Sequence, residues 1–299
     1  MTASDAEIRN KFLEHRMTDE TPAPVRLLAD KARDAHPGSA VLLYGSGNSV
    51  LQDADPAEVL YDFYVIAPSY KAAYQSPFMR FLNWAIPPNV FYLETQSKWG
   101  LLRAKYAVLS IDHFEKLVGA QTFHSYFWAR FAQPSKIIVA PDEMKDRLVA
   151  VAAASIDRFV SASADLVDEG ANAHKIWMAG LSKSYKAELR AEAPDRVARL
   201  LKSYGDWPKK VTLPDTPATK NSALAWRARG VQGGFLSVIR LLKGTATFKG
   251  GVDYIVWKIS RHSGIEVPIK KWERRLPLFG APFLAARYYR MKKANSSQG

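Results

Sequence analysis

Tyr44-Gly45-Ser46-Gly47 is the stretch of this chain whose residue types could handle a nucleotide. It closes an apolar run, Ala40 to Tyr44, that reads as a buried strand ending on a Gly-Ser turn. Glycines let a backbone approach a triphosphate closely, and the Ser46 hydroxyl adds a donor. A second apolar run, Tyr61-Asp62-Phe63-Tyr64-Val65-Ile66, carries one carboxylate near its start. Asp62 could there hold a divalent metal against the same phosphates. Each piece also has a plainer reading, the first as an ordinary turn and the second as a strand-edge carboxylate in water.

The rest of the chain must position these groups. Its 299 residues suffice for one large domain or two ordinary ones. A hydrophobic share of 47% excludes wholesale disorder. With no cysteine there is no disulfide framework, no thiolate nucleophile and no Cys-based zinc site. Lys and Arg number 42 against 29 acids, a net charge of +13 that draws the chain toward nucleic acid, nucleotide or an anionic membrane. No apolar run approaches the roughly eighteen residues that a transmembrane helix needs. Met1 to Lys11 is polar and carries acids, unlike a signal or transit peptide. Contact with a membrane would therefore come from one side.

Helices are expected at about Ala6–Arg16 and Val25–Ala35, with a Pro37-Gly38 breaker before the first strand. Strands follow at Ala40–Tyr44, Asp62–Ile66, Asn89–Leu93, Lys105–Ser110 and Lys136–Ala140, and a helix at Ile111–Val118. Their spacing leaves room for helices or long loops, which predicts a mixed α+β layer. Beyond Pro141 the pattern turns helical, over Asp142–Leu166, Ser184–Leu201 and Val231–Leu242. Trp207 to Ala225 reads as a loop, and Tyr254–Ser260 as an apolar helix or strand.

Six spaced motifs resemble one family, the mitochondrial phosphatidate cytidylyltransferases of the translocator assembly and maintenance type. They are Tyr44–Gly47, Asp62-Phe63, Val90-Phe91-Tyr92, Lys105–Ser110, Ala129–Ile137 and Ser184–Arg190, followed by Lys243-Gly244-Thr245-Ala246-Thr247 as a further element. The resemblance spans roughly residues 40–261, with the motifs in family order. The chain departs from the family where Ala67-Pro68 replaces acids after the Asp-Phe strand. A family Trp-His pair is missing, two family glycines become Ala107 and Ala129, and an Asp becomes Glu188.

The resemblance implies that CTP and phosphatidate react to give CDP-diacylglycerol and pyrophosphate, with Mg2+ as cofactor. The acceptor phosphomonoester has a second pKa of about 6, so it needs no general base. Catalysis then rests on positioning and on charge stabilisation. On this reading Tyr44, Gly45, Ser46 and Gly47 bind nucleotide, and Asp62 holds the metal with Glu188 as a second ligand. Lys105, Arg130 and Arg190 contact phosphates. The alternatives are a snorkelling Lys105, an Arg130 stacked among Tyr126 and neighbouring aromatics, and a Glu188 paired with a helix cation. His113, His124, His174 and His262 have no ligand spacing and read as structural.

The last stretch mixes aromatic and basic residues. Leu284, Tyr288 and Met291 fall on one helical face, and eight basic residues between Lys270 and Lys293 face one acid, Glu273. That suits an interfacial helix on anionic lipid, or a helix docked on the protein's own core. The expected organisation is N-terminal helices over 1–37 and a nucleotidyltransferase-like mixed sheet over 38–145. A mostly helical, winged-helix-like domain over 146–262 and a basic tail over 263–299 complete it. The expected partners are CTP, phosphatidate and an anionic membrane surface, with no nucleic acid. The expected location is peripheral, on the cytoplasmic side of a membrane, or the matrix side of the mitochondrial inner membrane in a eukaryote. A nucleotidyltransferase with another lipid-phosphate acceptor, and a non-enzymatic descendant at the membrane, stand beside this reading.

Overall fold

The computed structural model describes residues 3–45, 55–188, 194–219, 222–247, 268–275, 283–284, 286–288 and 290–291. Two helices, α1 (Ala3–Thr18) and α2 (Ala23–Asp34), lead into strand β1 (Ala40–Tyr44). Next come β2 (Leu60–Ala67), α3 (Tyr70–Ala73), α4 (Pro77–Ala85), β3 (Asn89–Ser97) and β4 (Gly100–Ser110). Then α5 (Ile111–Val118), α6 (Trp128–Phe131) and β5 (Lys136–Val139) complete the strand-bearing part. The remaining elements are helical: α7 (Asp142–Ala164), α8 (Ala173–Ala187), α9 (Pro194–Ser203), α10 (Trp207–Val211), α11 (Ser222–Thr247) and α12 (Lys271–Arg275).

The strands form one mixed sheet in the order β3-β4-β2-β1-β5. β2 and β4 run parallel; the other neighbours are antiparallel. Alternate residues of a strand face opposite sides, so each strand feeds two cores. On one side Val41, Leu43, Phe63, Val65 and Val108 meet α2, which buries Val25, Leu28, Ala29 and Ala32. Those four positions are one helical stripe, which explains why this helix was legible in the sequence. On the other side Leu42, Tyr64, Ile66 and Leu109 meet α5, α6 and α7. The same cluster continues into Trp177 of α8, Trp207 of α10 and Trp226 of α11. Each of these indoles donates to an acceptor: Trp177 to Thr212 Oγ1 at 3.0 Å, Trp207 to Ala132 O at 3.1 Å and Trp226 to Ala162 O at 2.8 Å. These three rings are thus buried without stranding their polar atom, whereas Trp128 Nε1 of the same cluster has no hydrogen-bond partner among the described residues.

Two glycines let the helices cross closely. A Cβ on Gly180 of α8 would lie 2.2 Å from Ser163 Oγ and 2.6 Å from Phe159 Cζ on α7. A Cβ on Gly233 of α11 would lie 2.4 Å from the Ala187 carbonyl of α8. α11 also grips the start of β3, where the Pro87–Pro88 bond is cis. Arg240 Nε donates to Pro87 O at 2.9 Å. Lys243 Nζ donates to Pro88 O at 2.6 Å, to Asn89 Oδ1 at 3.0 Å and to Ile86 O.

The expected single helix over Ser184–Leu201 is instead the end of α8 and a separate α9. Asn172 starts α8 well upstream by accepting from Lys175 N at 3.0 Å. Pro194, which cannot donate to a preceding turn, opens α9. The expected loop from Trp207 to Ala225 contains the short helix α10 and the start of α11. The Tyr254–Ser260 expectation lies outside the described residues.

Among the described residues no helix is long and apolar enough to cross a membrane. In the tail the described positions between 283 and 291 are helical. Leu284, on the face expected to meet lipid, is only 7% exposed. Arg287 pairs at 2.8 Å with Glu273, which is fully buried. Trp272 and Phe283 stay exposed and meet edge to face at 5.3 Å.

Candidate functional site

The sheet register assembles a polar row. Tyr44 of β1 pairs with Asp62 of β2, Asp62 with Lys105 of β4, and Lys105 with Tyr92 of β3. All four lie in phase with Leu42, Tyr64, Ala107 and Val90, on the face that α6, α7 and α8 cover further along. Two residues further, toward the start of β4 and the end of β3, the same face carries Arg103 and Glu94, themselves register partners.

Lys105 Nζ lies 2.8 Å from Asp62 Oδ1, in an ion pair whose side chains keep 32% and 25% exposure. Solvent therefore reaches the pair. Gly45 follows directly on the strand with φ of +79°, a conformation that a side chain would strain. A Cβ there would lie 3.7 Å from Asp62 Oδ2, in ordinary contact, so the backbone angle is what favours glycine. Tyr92 donates its hydroxyl to Glu94 Oε2 at 3.1 Å, and Arg103 NH1 donates to Ala57 O at 3.1 Å.

A second ion pair borders the row. Arg130 of α6 donates from NH2 to Glu188 Oε2 at 2.7 Å, and both side chains are almost buried. The Arg130 guanidinium lies 5.5 Å from the Tyr44 ring centroid and 4.3 Å from that of Tyr126. Arg240 of α11 lies 3.9 Å from the same Tyr126 ring. Glu188 ends α8, and its backbone N–H donates to Ser184 O and Tyr185 O. The helix end fixes the carboxylate, and the carboxylate fixes the arginine.

The electrostatics link the two pairs. Burial, with the Asp62 charge, pushes the Tyr44 hydroxyl up to about 12. Burial also raises Tyr64, which sits beside Tyr126 and Arg130. Burial works against the Arg130 charge, but Tyr126, Glu188, Tyr64 and Tyr44 outweigh it and raise its pKa. Arg240 is lowered, first by burial and then, among its charged neighbours, by Arg130. Lys243 is pushed down to about 7 by burial and by Arg240. Lys105, Arg103, Arg130 and Arg240 thus stand among three carboxylates, Asp62, Glu94 and Glu188, a cation excess that favours an added anion.

Of the residues expected to act, Tyr44, Gly45, Asp62, Lys105, Arg130 and Glu188 come together here. Ser46, Gly47 and Arg190 lie outside the described residues. The sequence reading did not single out Tyr92, Glu94, Arg103, Tyr126 or Arg240 as site residues. Arg103 and Lys105 at i, i+2 on one strand, like Tyr92 and Glu94 on its neighbour, were the available signal. Arg240 offered none, standing among apolar helix residues. His113 Nδ1 lies 2.7 Å from the Tyr70 hydroxyl. Burial and Arg240 push His124 down to about 4.

Magnesium commonly binds through one or two carboxylates together with substrate phosphates and water. Asp62, partly exposed and in contact range of the Gly45 backbone, meets that requirement with a triphosphate beside it. Among the described residues no three acids or histidines gather into a metal-binding group. Glu188 is committed to Arg130. No protein-family model matches the chain, and no curated protein matches it.

Proposed function

We propose that this protein is a magnesium-dependent nucleotidyltransferase that joins CTP to phosphatidate, releasing pyrophosphate and forming CDP-diacylglycerol. The observation that supports it best is the row Tyr44–Asp62–Lys105 beside a glycine at positive φ, bordered by the Arg130–Glu188 pair. On this reading the sheet is the nucleotidyltransferase-like part of the chain and the following helices its winged-helix-like partner. CTP and phosphatidate come from the motif resemblance; the geometry itself speaks for a polyphosphate and a second anion.

In the proposed reaction a phosphatidate oxygen attacks the α-phosphorus of the nucleotide. A new P–O bond forms as the bond to the β-phosphate oxygen breaks, and pyrophosphate carries away the electron pair. Gly45 opens the strand end so that phosphates approach the backbone, and the motif resemblance adds Ser46 and Gly47 to the nucleotide-binding residues. Bound magnesium would supply charge neutralisation for the triphosphate, and Asp62 would hold it. Lys105 holds Asp62 in place without nucleotide; a triphosphate competes for its ammonium. Arg130, oriented by Glu188 and supported on the Tyr126 ring, gives the acceptor phosphate a fixed cation, and Arg190 adds a further one.

The test is purified protein with phosphatidate vesicles, magnesium and each labelled nucleoside triphosphate in turn. Labelled CDP-diacylglycerol should form from CTP and depend on magnesium. Asp62→Asn should abolish it while the circular dichroism melt stays that of the parent. Full turnover in Asp62→Asn would remove the residue from the mechanism, and no product with any nucleotide would sink the enzymatic reading.

A further inference from the structure

α11 carries apolar side chains on its outer side as well as its inner one. Trp226, Arg229 and Gly233 face the core, as they should. The far side carries Leu224, Val231 and Phe235, which are 69%, 79% and 67% exposed. These three repeat at intervals of seven and four residues, which places them in one row along the helix. Three large apolar side chains in line in water mark a surface that something covers.

The neighbouring groove indicates what that is. Between α8 and α11 lies a groove of about 630 Å3. Lys183, Lys186 and Arg227 rim it, while Ala187, Trp226 and Val231 supply apolar lining. Among the described residues no acid lines it. Cations set beside an exposed apolar row match an anionic lipid surface, in which phosphates lie directly above acyl chains. A protein partner with an acidic groove-filling segment would leave the apolar row unexplained. The net charge of +13 gives the same sign to the whole approach.

We infer that the outward face of α11, with the basic groove it shares with α8, docks on an anionic bilayer. This extends the proposed function by naming the surface through which a lipid acceptor is reached, and it rests on that reading only there. The test uses the full chain without nucleotide, so that vesicle binding and nucleotidyl transfer are read separately. Co-sedimentation is measured with neutral phosphatidylcholine vesicles and with vesicles carrying phosphatidylglycerol, which is not the proposed acceptor. Binding should require the anionic lipid. Val231→Ser/Phe235→Ser and, separately, Lys183→Gln/Lys186→Gln/Arg227→Gln should each weaken it by at least about tenfold. Both variants should keep the parent's thermal melt and its transfer to a short-chain, water-soluble acceptor.

Two other exposed aromatic patches serve as comparators. Phe78→Ser/Trp84→Ser on α4 and Phe283→Ser beside Trp272 should bind vesicles as the parent does. If these comparators lose binding while the α11 and groove variants keep it, the docking surface lies elsewhere and the inference fails. It also fails if sedimentation velocity shows a parent dimer that Val231→Ser/Phe235→Ser converts to monomer, because a second copy then covers the row. Lost vesicle binding with intact transfer to the soluble acceptor supports both readings. Absent transfer with α11-dependent vesicle binding would sink only the enzymatic one.

Discussion

Asp62 and Glu188 are both carboxylates held by a cation, yet their surroundings assign them different work. Asp62 lies on an open strand face, and its partner Lys105 is itself partly in solvent. A half-buried pair of this kind, with solvent at its edge, exchanges partners at less cost than a buried one. Glu188 sits at a helix end against a nearly buried guanidinium. Removing one member of a buried pair leaves the other charge uncompensated, at a cost of about 3–5 kcal/mol. Glu188→Gln should therefore loosen Arg130. With the proposed reaction as readout, the KM for phosphatidate should rise by about tenfold and the magnesium midpoint should stay unchanged. A shift in the magnesium midpoint instead would return Glu188 to the metal shell that the sequence resemblance implies. Single residues such as Asp62 were legible because an acid inside an apolar strand stands out. The pairing of Asp62 with Lys105 was not, because strand register depends on which strands become neighbours.

At the level of elements, β1 and α5 appear where the apolar runs put them, since short runs between turn residues leave little choice. The helical half was harder to read. α8 buries Trp177, Gly180, Leu181, Ser184 and Ala187, a stripe diluted by small residues that exist for close helix crossing. α11 is held at its far end by polar contacts, with Lys243 donating to acceptors on residues 86, 88 and 89. That lysine yields a pH prediction. Its folded pKa is pushed down to about 7 by burial and by Arg240, against about 10.4 in an unfolded chain. Between these values the unfolded state binds the extra proton, so unfolding free energy rises with pH. Urea denaturation should show the parent gaining on Lys243→Met by up to about 1.4 kcal/mol per pH unit from pH 7 to about 9.5. A difference that stays flat over that window would mean that the three acceptors keep the ammonium charged.

On the scale of the whole molecule, the excess of positive charge and the scattered exposed aromatics act together. A net charge of +13 attracts any anionic surface, and attraction of this kind has little preference for where the protein touches. Apolar groups then select the contact, because they gain only where they enter the acyl region. Among the described tail residues Leu284 is buried and Arg287 is engaged by Glu273, while Trp272 and Phe283 stay exposed. α11 offers three apolar side chains with cations alongside. If charge brings the protein to the bilayer and the α11 row holds it there, salt should separate the two contributions. Raising the salt from about 0.1 M to about 1 M shortens the Debye length from about 10 Å to about 3 Å. The parent's affinity for phosphatidylglycerol-containing vesicles should fall steeply over that range, yet remain measurable at its upper end. Val231→Ser/Phe235→Ser, deprived of the apolar component, should bind at low salt and detach completely at high salt. The groove-charge variant should show the shallower salt dependence of the two. Parallel salt curves for the parent and both variants would mean that charge and apolar row do not act on the same surface, and the two-part account of membrane docking would have to be abandoned.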